Sequence, residues 1–286
     1  MFGYLELLRE SREIRLGKSN LRVGRIGRSF FGRDILLFYP PKRPVAVLVG
    51  AFHGREHISG KLVSVLAKKY GGDRVAFIPI LNPDGVELAI RGKDTAPPCF
   101  REKYIDWNGG NPDLSLWKAN GRGVDLNVNF PADWGKGAKN IFYPHSENYV
   151  GESPFSEREN LALRDYIARV NPYCVVAFHS KGEIIYYGYG NFEDRAENLE
   201  KLTFSTTYPC EIAKNSCGGF KDWFIKISSR PGYTVEVGDD RLSHPIPYDE
   251  FEKIYLQNKD IPYIAEEIGI KTKEREGENS PDWYKL

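Results

Sequence analysis

Within five residues, His53-Gly54-Arg55-Glu56-His57 offers two imidazoles and a carboxylate, borderline ligand types that suit zinc. If both histidines of this H-x-x-E-H run bound one metal, they would have to share a face of a continuous helix. His53 instead closes a buried apolar run and Gly54 follows it, a pairing that predicts a strand-to-loop turn. Such a turn aims His53 and Glu56 at one metal and leaves His57 to open the next helix. A third ligand is expected from another strand end, and Val175-Val176-Ala177-Phe178-His179 supplies one. Open α/β sheets build their sites at the carboxyl ends of strands. A site of two histidines and a carboxylate leaves a position for water, whose pKa zinc can lower to about 7. A base must then accept the water's proton. Tyr233-Thr234-Val235-Glu236-Val237 is an apolar run with a single carboxylate, and alternation puts Thr234 and Glu236 on one face. Glu236 is therefore the candidate general base.

The elements that must hold these groups alternate in type. Strands are expected at Asp34–Tyr39, Pro44–Phe52, Arg74–Leu81, Tyr173–His179, Glu183–Tyr189 and Tyr233–Val237. Helices are expected at Ser59–Tyr70, Ser156–Val170, Ala196–Thr207, Phe220–Ile227 and Tyr248–Gly269. Ser156 with Glu159 matches a capping box. The runs Val45–Ala51 and Cys174–Phe178 are apolar throughout, as in strands covered on both faces. Interleaved strands and helices predict one α/β domain around a mostly parallel or mixed sheet. The domain is expected to span residues 1–270, followed by a charged, only partly ordered tail at 271–286. Residues 92–152 are rich in Gly, Pro, Asn and Trp with little periodicity, the signature of a functional loop wall.

Length and composition set the outer bounds. The 286 residues carry a net charge of +1, so nothing global favours nucleic acid or an anionic membrane. No apolar stretch reaches the roughly 18 residues of a membrane span, and Met1–Glu10 does not read as a signal peptide. Cys99, Cys174, Cys210 and Cys217 show no paired spacing, which fits a reducing compartment. The expected address is the cytoplasm, the expected partner a peptide substrate, and no protein partner is inferable.

Seven segments in order resemble the zinc carboxypeptidase family, the carboxypeptidase A-like metallopeptidases. They are Ile26-Gly27-Arg28-Ser29 with Gly32-Arg33, His53-Gly54-Arg55-Glu56, Asn82-Pro83-Asp84-Gly85, Gly123-Val124-Asp125-Leu126-Asn127, Pro154-Phe155-Ser156-Glu157, Phe178-His179-Ser180 and Tyr233-Thr234-Val235-Glu236. The resemblance implies an α/β/α sandwich around a mixed sheet of about eight strands. It implies one zinc ion held by His53, Glu56 and His179, with Glu236 as the catalytic glutamate. Asp125 matches the aspartate that orients the first histidine, Asn127 a substrate-binding asparagine, and Arg55 an outer substrate-binding arginine. Lys118 and Arg122 flank the position of the oxyanion-stabilising arginine, and Arg122 is preferred.

The departures carry information too. Family members that trim C-terminal residues follow the asparagine with an arginine that clamps the peptide's carboxylate; here the pair is Asn127-Val128, and valine makes no such bond. The family's substrate-capping tyrosine has no counterpart near Lys214. Lys221 matches the base of the family's side-chain pocket, where it would favour a substrate carboxylate. The text around His179 and Glu236, with His244-Pro245-Ile246, resembles the γ-D-glutamyl-meso-diaminopimelate peptidase branch. That resemblance implies a zinc enzyme acting on cell-wall muropeptides inside the cell. The alternatives are a carboxypeptidase releasing C-terminal L-residues, a deacylase of the aspartoacylase type, and a non-catalytic muropeptide-binding homologue.

Overall fold

The structure, a computed structural model, describes residues 1–18, 20–213 and 217–277. Its strands in chain order are β1 (Arg22–Arg28), β2 (Asp34–Tyr39), β3 (Ala46–Val49), β4 (Val75–Ile78), β5 (Cys174–His179), β6 (Ile184–Tyr187), β7 (Cys210–Ile212) and β8 (Gly232–Glu236). They form one eight-stranded sheet in the order β1-β2-β4-β3-β5-β8-β6-β7. The central strands β4, β3, β5 and β8 run parallel, while β2 and β6 join them antiparallel. The mixed α/β sheet expected from the sequence is the sheet observed.

Alternate residues of the central strands enter two separate cores. Ala46, Leu48, Val176 and Phe178 face one cluster; Val47, Val49, Val175 and Ala177 face the other. The first core is closed by α2 (His57–Lys69), α8 (Phe251–Asn258) and α9 (Ile261–Glu276). The second is closed by α5 (Arg158–Val170) and α7 (Phe220–Ser228). Both faces of the sheet are therefore dry, which is why these strands read as unbroken apolar runs. Among the described residues no helix is long and apolar enough to cross a membrane.

Several expectations need correction. β1 was not foreseen because Arg22, Arg25 and Arg28 interrupt any apolar alternation; as an edge strand it is exposed, and charge there discourages further pairing. The helix expected over 248–269 breaks at Lys259–Asp260, and α9 restarts with Pro262 in its first turn, where a missing N–H costs nothing. The Ser156–Glu159 capping box does not form. Helix α5 begins at Arg158, Ser156 Oγ bonds Glu157, and Glu159 accepts instead from the Phe30 N–H. Helix α9 continues to Glu276, past the expected boundary at 270, because Glu276 grips the fully buried Arg230 at 2.7 and 2.6 Å. Positions 278–286 of the expected tail lie outside the described residues.

The segment 92–152 is not all loop. It contains α4 (Pro98–Trp107) and a third small apolar core built from Tyr104, Leu114, Trp117 and Ala119 with Leu88 and Ala89. Leu88 and Ala89 belong to α3 (Pro83–Arg91), which Asn82 caps by accepting from Gly85 N–H at 2.8 Å.

Candidate metal centre

From β3 the chain passes through α2 to β4 on one side, while β5 lies on the other. This divergence is the topological switch point where α/β sheets open a crevice. Strand β3 stops at Val49, four residues before His53, so His53 sits on the connecting turn rather than in the strand. A short 3-10 turn, Gly54–Glu56, then leads into α2. Gly54 is required there: a Cβ would meet the Gly85 carbonyl oxygen at 2.3 Å and that of Trp117 at 2.7 Å. Gly54 N–H and Arg55 N–H donate to the Lys118 and Trp117 carbonyls at 3.1 and 2.8 Å. The turn is thereby pinned to the wall segment. Asn82 adds a second clamp, its Nδ2 donating to the carbonyls of Phe52 and Ala119.

His53, Glu56 and His179 come together as expected. Their ligand atoms lie within 4.8 Å of one another, and all three side chains are buried. His53 Nδ1 is 2.8 Å from Glu56 Oε1, and His179 Nδ1 is 3.1 Å from Glu56 Oε2 and 3.2 Å from His53 Nδ1. Zinc bonds of about 2.0–2.2 Å to such atoms in tetrahedral array need donors spaced by about 3–3.5 Å. The donor set and its spacing fit that ion. Phe52 stacks on His179 with centroids 5.0 Å apart, which fixes the ring's plane.

Behind the triad, His53 Nε2–H donates to Asp125 Oδ1 at 3.0 Å. That bond sets the tautomer and leaves the Nδ1 lone pair facing the other ligands. Asp125 is fully buried and also receives Lys118 Nζ at 2.7 Å and its neighbour Asn127 N–H at 3.0 Å. Burial alone would raise the Asp125 carboxyl, but Lys118 and His53 hold it far below its ordinary value. Burial likewise disfavours a charged His53, an effect outweighed by Glu56 and Asp125.

Glu236 ends β8 directly opposite His179 of β5 in the parallel register. The two side chains are thus set by one backbone ladder with strands about 4.8 Å apart. Burial, helped by the charge of Glu56 and opposed by His179 and Lys118, pushes the Glu236 carboxyl up to about 7. A carboxylate poised near neutrality is suited to taking and returning a proton.

The remaining expected residues divide. Asn127 stands half-buried beside Asp125, its Oδ1 accepting from Phe220 N–H at 3.1 Å. Arg55 reaches Glu147 at 3.2 Å and the Leu116 carbonyl. Arg122, preferred from the sequence as the cation of the site, turns elsewhere: it pairs with Glu152 at 2.9 Å and Glu157 at 3.5 Å and lies over the Phe30 ring. Lys118 instead reaches Asp125 with its ammonium, and its backbone carbonyl accepts from Gly54 N–H. Lys221 is buried, with Nζ bonded to the Gly188 carbonyl at 2.6 Å and to the Asp222 carboxylate. It offers a lysine–aspartate pair rather than a bare charge. Lys214, near which a capping tyrosine was sought, lies outside the described residues. Ser180 and His244 were not singled out as site residues; Ser180 N–H donates to Glu56 Oε2 at 3.3 Å, and the only sequence signal for it was its place after His179.

A family model described as zinc carboxypeptidase matches residues 12–215; Glu236 lies beyond the matched span. The chain is 39% identical over 191 residues to γ-D-glutamyl-L-diamino acid endopeptidase 1 of Lysinibacillus sphaericus, covering 66% of this chain and 48% of that protein. The crystal structure of murein-tripeptide amidase from Escherichia coli O157 superposes with a TM-score of 0.59 at 25% identity, over 86% of this chain and 91% of that one. Thrombin-activatable fibrinolysis inhibitor shares the fold at a TM-score of 0.71 and 18% identity, over 94% of this chain and 74% of that one. The chain spans about half the length of the first curated relatives it matches.

Proposed function

Because the chain belongs to the zinc carboxypeptidase family, we propose that it hydrolyses cell-wall peptides at the γ-D-glutamyl–meso-diaminopimelate bond. The observation that carries the reading is the convergence of His53, Glu56 and His179, with Asp125 behind them and Glu236 one strand away. The names of the Lysinibacillus and Escherichia coli proteins support the substrate class.

In this reading His53, Glu56 and His179 hold one zinc ion. When bound, zinc supplies Lewis acidity that polarises a peptide carbonyl and acidifies water. Asp125 keeps His53 in the tautomer that presents Nδ1. Glu236 accepts the proton of the attacking water and passes it to the leaving nitrogen, a shuttle suited to a carboxyl with a pKa of about 7. Lys118, fixed by Asp125, places positive charge where the carbonyl oxygen becomes negative. Asn127 and the Lys221–Asp222 pair are assigned to the released residue. Diaminopimelate carries both an amine and a carboxylate at the end of its side chain, which such a pair complements. Val128 removes the usual clamp for a plain C-terminal carboxylate.

The test is cleavage of synthetic L-Ala-γ-D-Glu-meso-diaminopimelate by the zinc-loaded protein. Release of L-Ala-D-Glu is expected, abolished by a chelator and slowed by at least about a hundredfold in Glu236→Gln. A protein that retains one zinc per chain yet leaves this peptide intact would sink the proposal. Release of C-terminal residues from plain L-peptides would then identify a carboxypeptidase.

A further inference from the structure

Buried polar side-chain atoms almost always find a partner, so those that do not point to something the site is built to meet. Among the described residues Arg55 Nε, Ser180 Oγ and His244 Nδ1 are such atoms, on residues that are not themselves ligands. Arg55 precedes Glu56, and Ser180 is bonded to Glu56 through its own N–H. His244 arrives from a different part of the chain, eight residues beyond Glu236. Burial lowers its pKa, and the charges of Glu56, Arg55, Lys181 and His53 act on it. The segment that carries it is tied to the loop after β5, because Gly182 and Glu183 N–H both donate to the Gly238 carbonyl and Lys181 pairs with Asp240 at 3.0 Å.

These groups stand on a flank of their own. Asn127 leans on α7 at Phe220 and marks the flank proposed for the released residue. Arg55, Lys181 and His244 belong to the 53–56 turn and the two loops that follow β5 and β8. Both cations already have carboxylate partners, but those partners are open to solvent: Glu147 is 40% and Asp240 81% exposed. Exposed ion pairs are weak and readily exchanged. A carboxylate entering this flank can replace them and also engage the buried nitrogens of Arg55 and His244.

We propose that Arg55, Lys181 and His244 form an acyl-side subsite that binds a free carboxylate on the residue whose carbonyl is attacked. The inference rests on the activity proposed above. A γ-linked glutamyl residue carries its α-carboxylate beyond three intervening carbons from the scissile carbonyl, a reach shared by the side-chain carboxylate of an α-linked glutamate, whereas most α-linked residues carry no carboxylate there. The subsite therefore reads a free carboxylate at that reach, and it distinguishes the free acid from its α-amide.

The experiment compares kcat/KM of the zinc-loaded protein for L-Ala-γ-D-Glu-meso-diaminopimelate and for the same peptide with the glutamyl α-carboxylate amidated. The free acid is expected to be preferred by about tenfold or more, the scale of a hydrogen bond to a charged group. Lys181→Met and His244→Phe should each bring the ratio toward one, while Lys181→Arg keeps most of it. Because the ratio is internal to each protein, a partial loss of folded enzyme does not alter it. If wild type cleaves both peptides equally well, or if both variants keep the full preference, the subsite is wrong and the proposed activity stands. If wild type cleaves neither peptide while holding zinc, the activity fails and the subsite falls with it.

Discussion

Replacing Asp125 with asparagine preserves shape and removes one negative charge from a fully buried position. In the structure that charge is shared by His53 Nε2–H at 3.0 Å, Lys118 Nζ at 2.7 Å and Asn127 N–H at 3.0 Å. An amide has one oxygen to accept with, and its NH2 must then face either the imidazole N–H or the ammonium, both donors. Removing one partner of a buried ion pair costs about 3–5 kcal/mol. Lys118 keeps 17% of its side chain exposed, so the low end, about 3 kcal/mol, is expected for the zinc-free protein. Loosening the group that orients a metal-binding histidine costs about 10–100-fold in metal affinity, or about 1.4–2.7 kcal/mol. Urea unfolding of zinc-free protein measures the first quantity, and competition for zinc against a chromophoric chelator measures the second. Adding Lys118→Met to Asp125→Asn should recover much of the stability without restoring the zinc affinity, since it removes the stranded charge but not the lost orientation. Unchanged zinc affinity in Asp125→Asn would refute the assignment of His53 as a ligand held by Asp125.

Two other outcomes follow from the same geometry. Lys118→Met should lower kcat by about a hundredfold or more, whereas Arg122→Met, which breaks pairs on the far side of the wall, should leave kcat within about threefold; equal losses in steady-state assays would return Arg122 to the site. Glu159 is raised from 4.5 to about 8 by burial, with Asp84 and Glu157 adding to the effect. The folded chain then holds a proton that the unfolded chain has released, so stability falls as pH rises from about 4.5 to about 8, by about 1.4 kcal/mol per unit. Glu159→Gln should remove that slope, gaining about 2–3 kcal/mol on wild type between pH 6 and pH 8 in urea unfolding; a difference that stays constant with pH would show that Glu159 is ionised in the fold.

How much of this was legible in the sequence depends on what each residue's environment demanded of it. The central strands announced themselves because burial on both faces permits only apolar residues, as in Ala46–Val49 and Cys174–Phe178. His53, Glu56 and His179 stood out because two histidines at two strand ends, one of them beside a glutamate, form a donor set that a lone histidine does not. The edge strand β1 escaped notice since solvent tolerates arginines there. Lys118 and Arg122 are four residues apart and equally basic, and their partners in the fold, Asp125 for one and Glu152 and Glu157 for the other, tell them apart. Glu159 reads locally as a helix cap; its partners in the fold, the Phe30 N–H and Asn120 Nδ2, are 129 and 39 residues away. Long-range pairings of that kind leave no periodic trace.

The third small core has a consequence for how the protein opens. Asp125 and Lys118 ride on a wall that holds its own cluster of Tyr104, Trp117 and Leu114, while His179 ends a strand of the sheet and His53 and Glu56 sit on the turn that leads from the sheet into α2. Such a unit can detach without melting the main fold. When it does, His53 loses its aspartate, so metal retention and wall closure are thermodynamically linked. The ion would act as a clasp, and amide hydrogen exchange across residues 104–125 should slow when zinc is added.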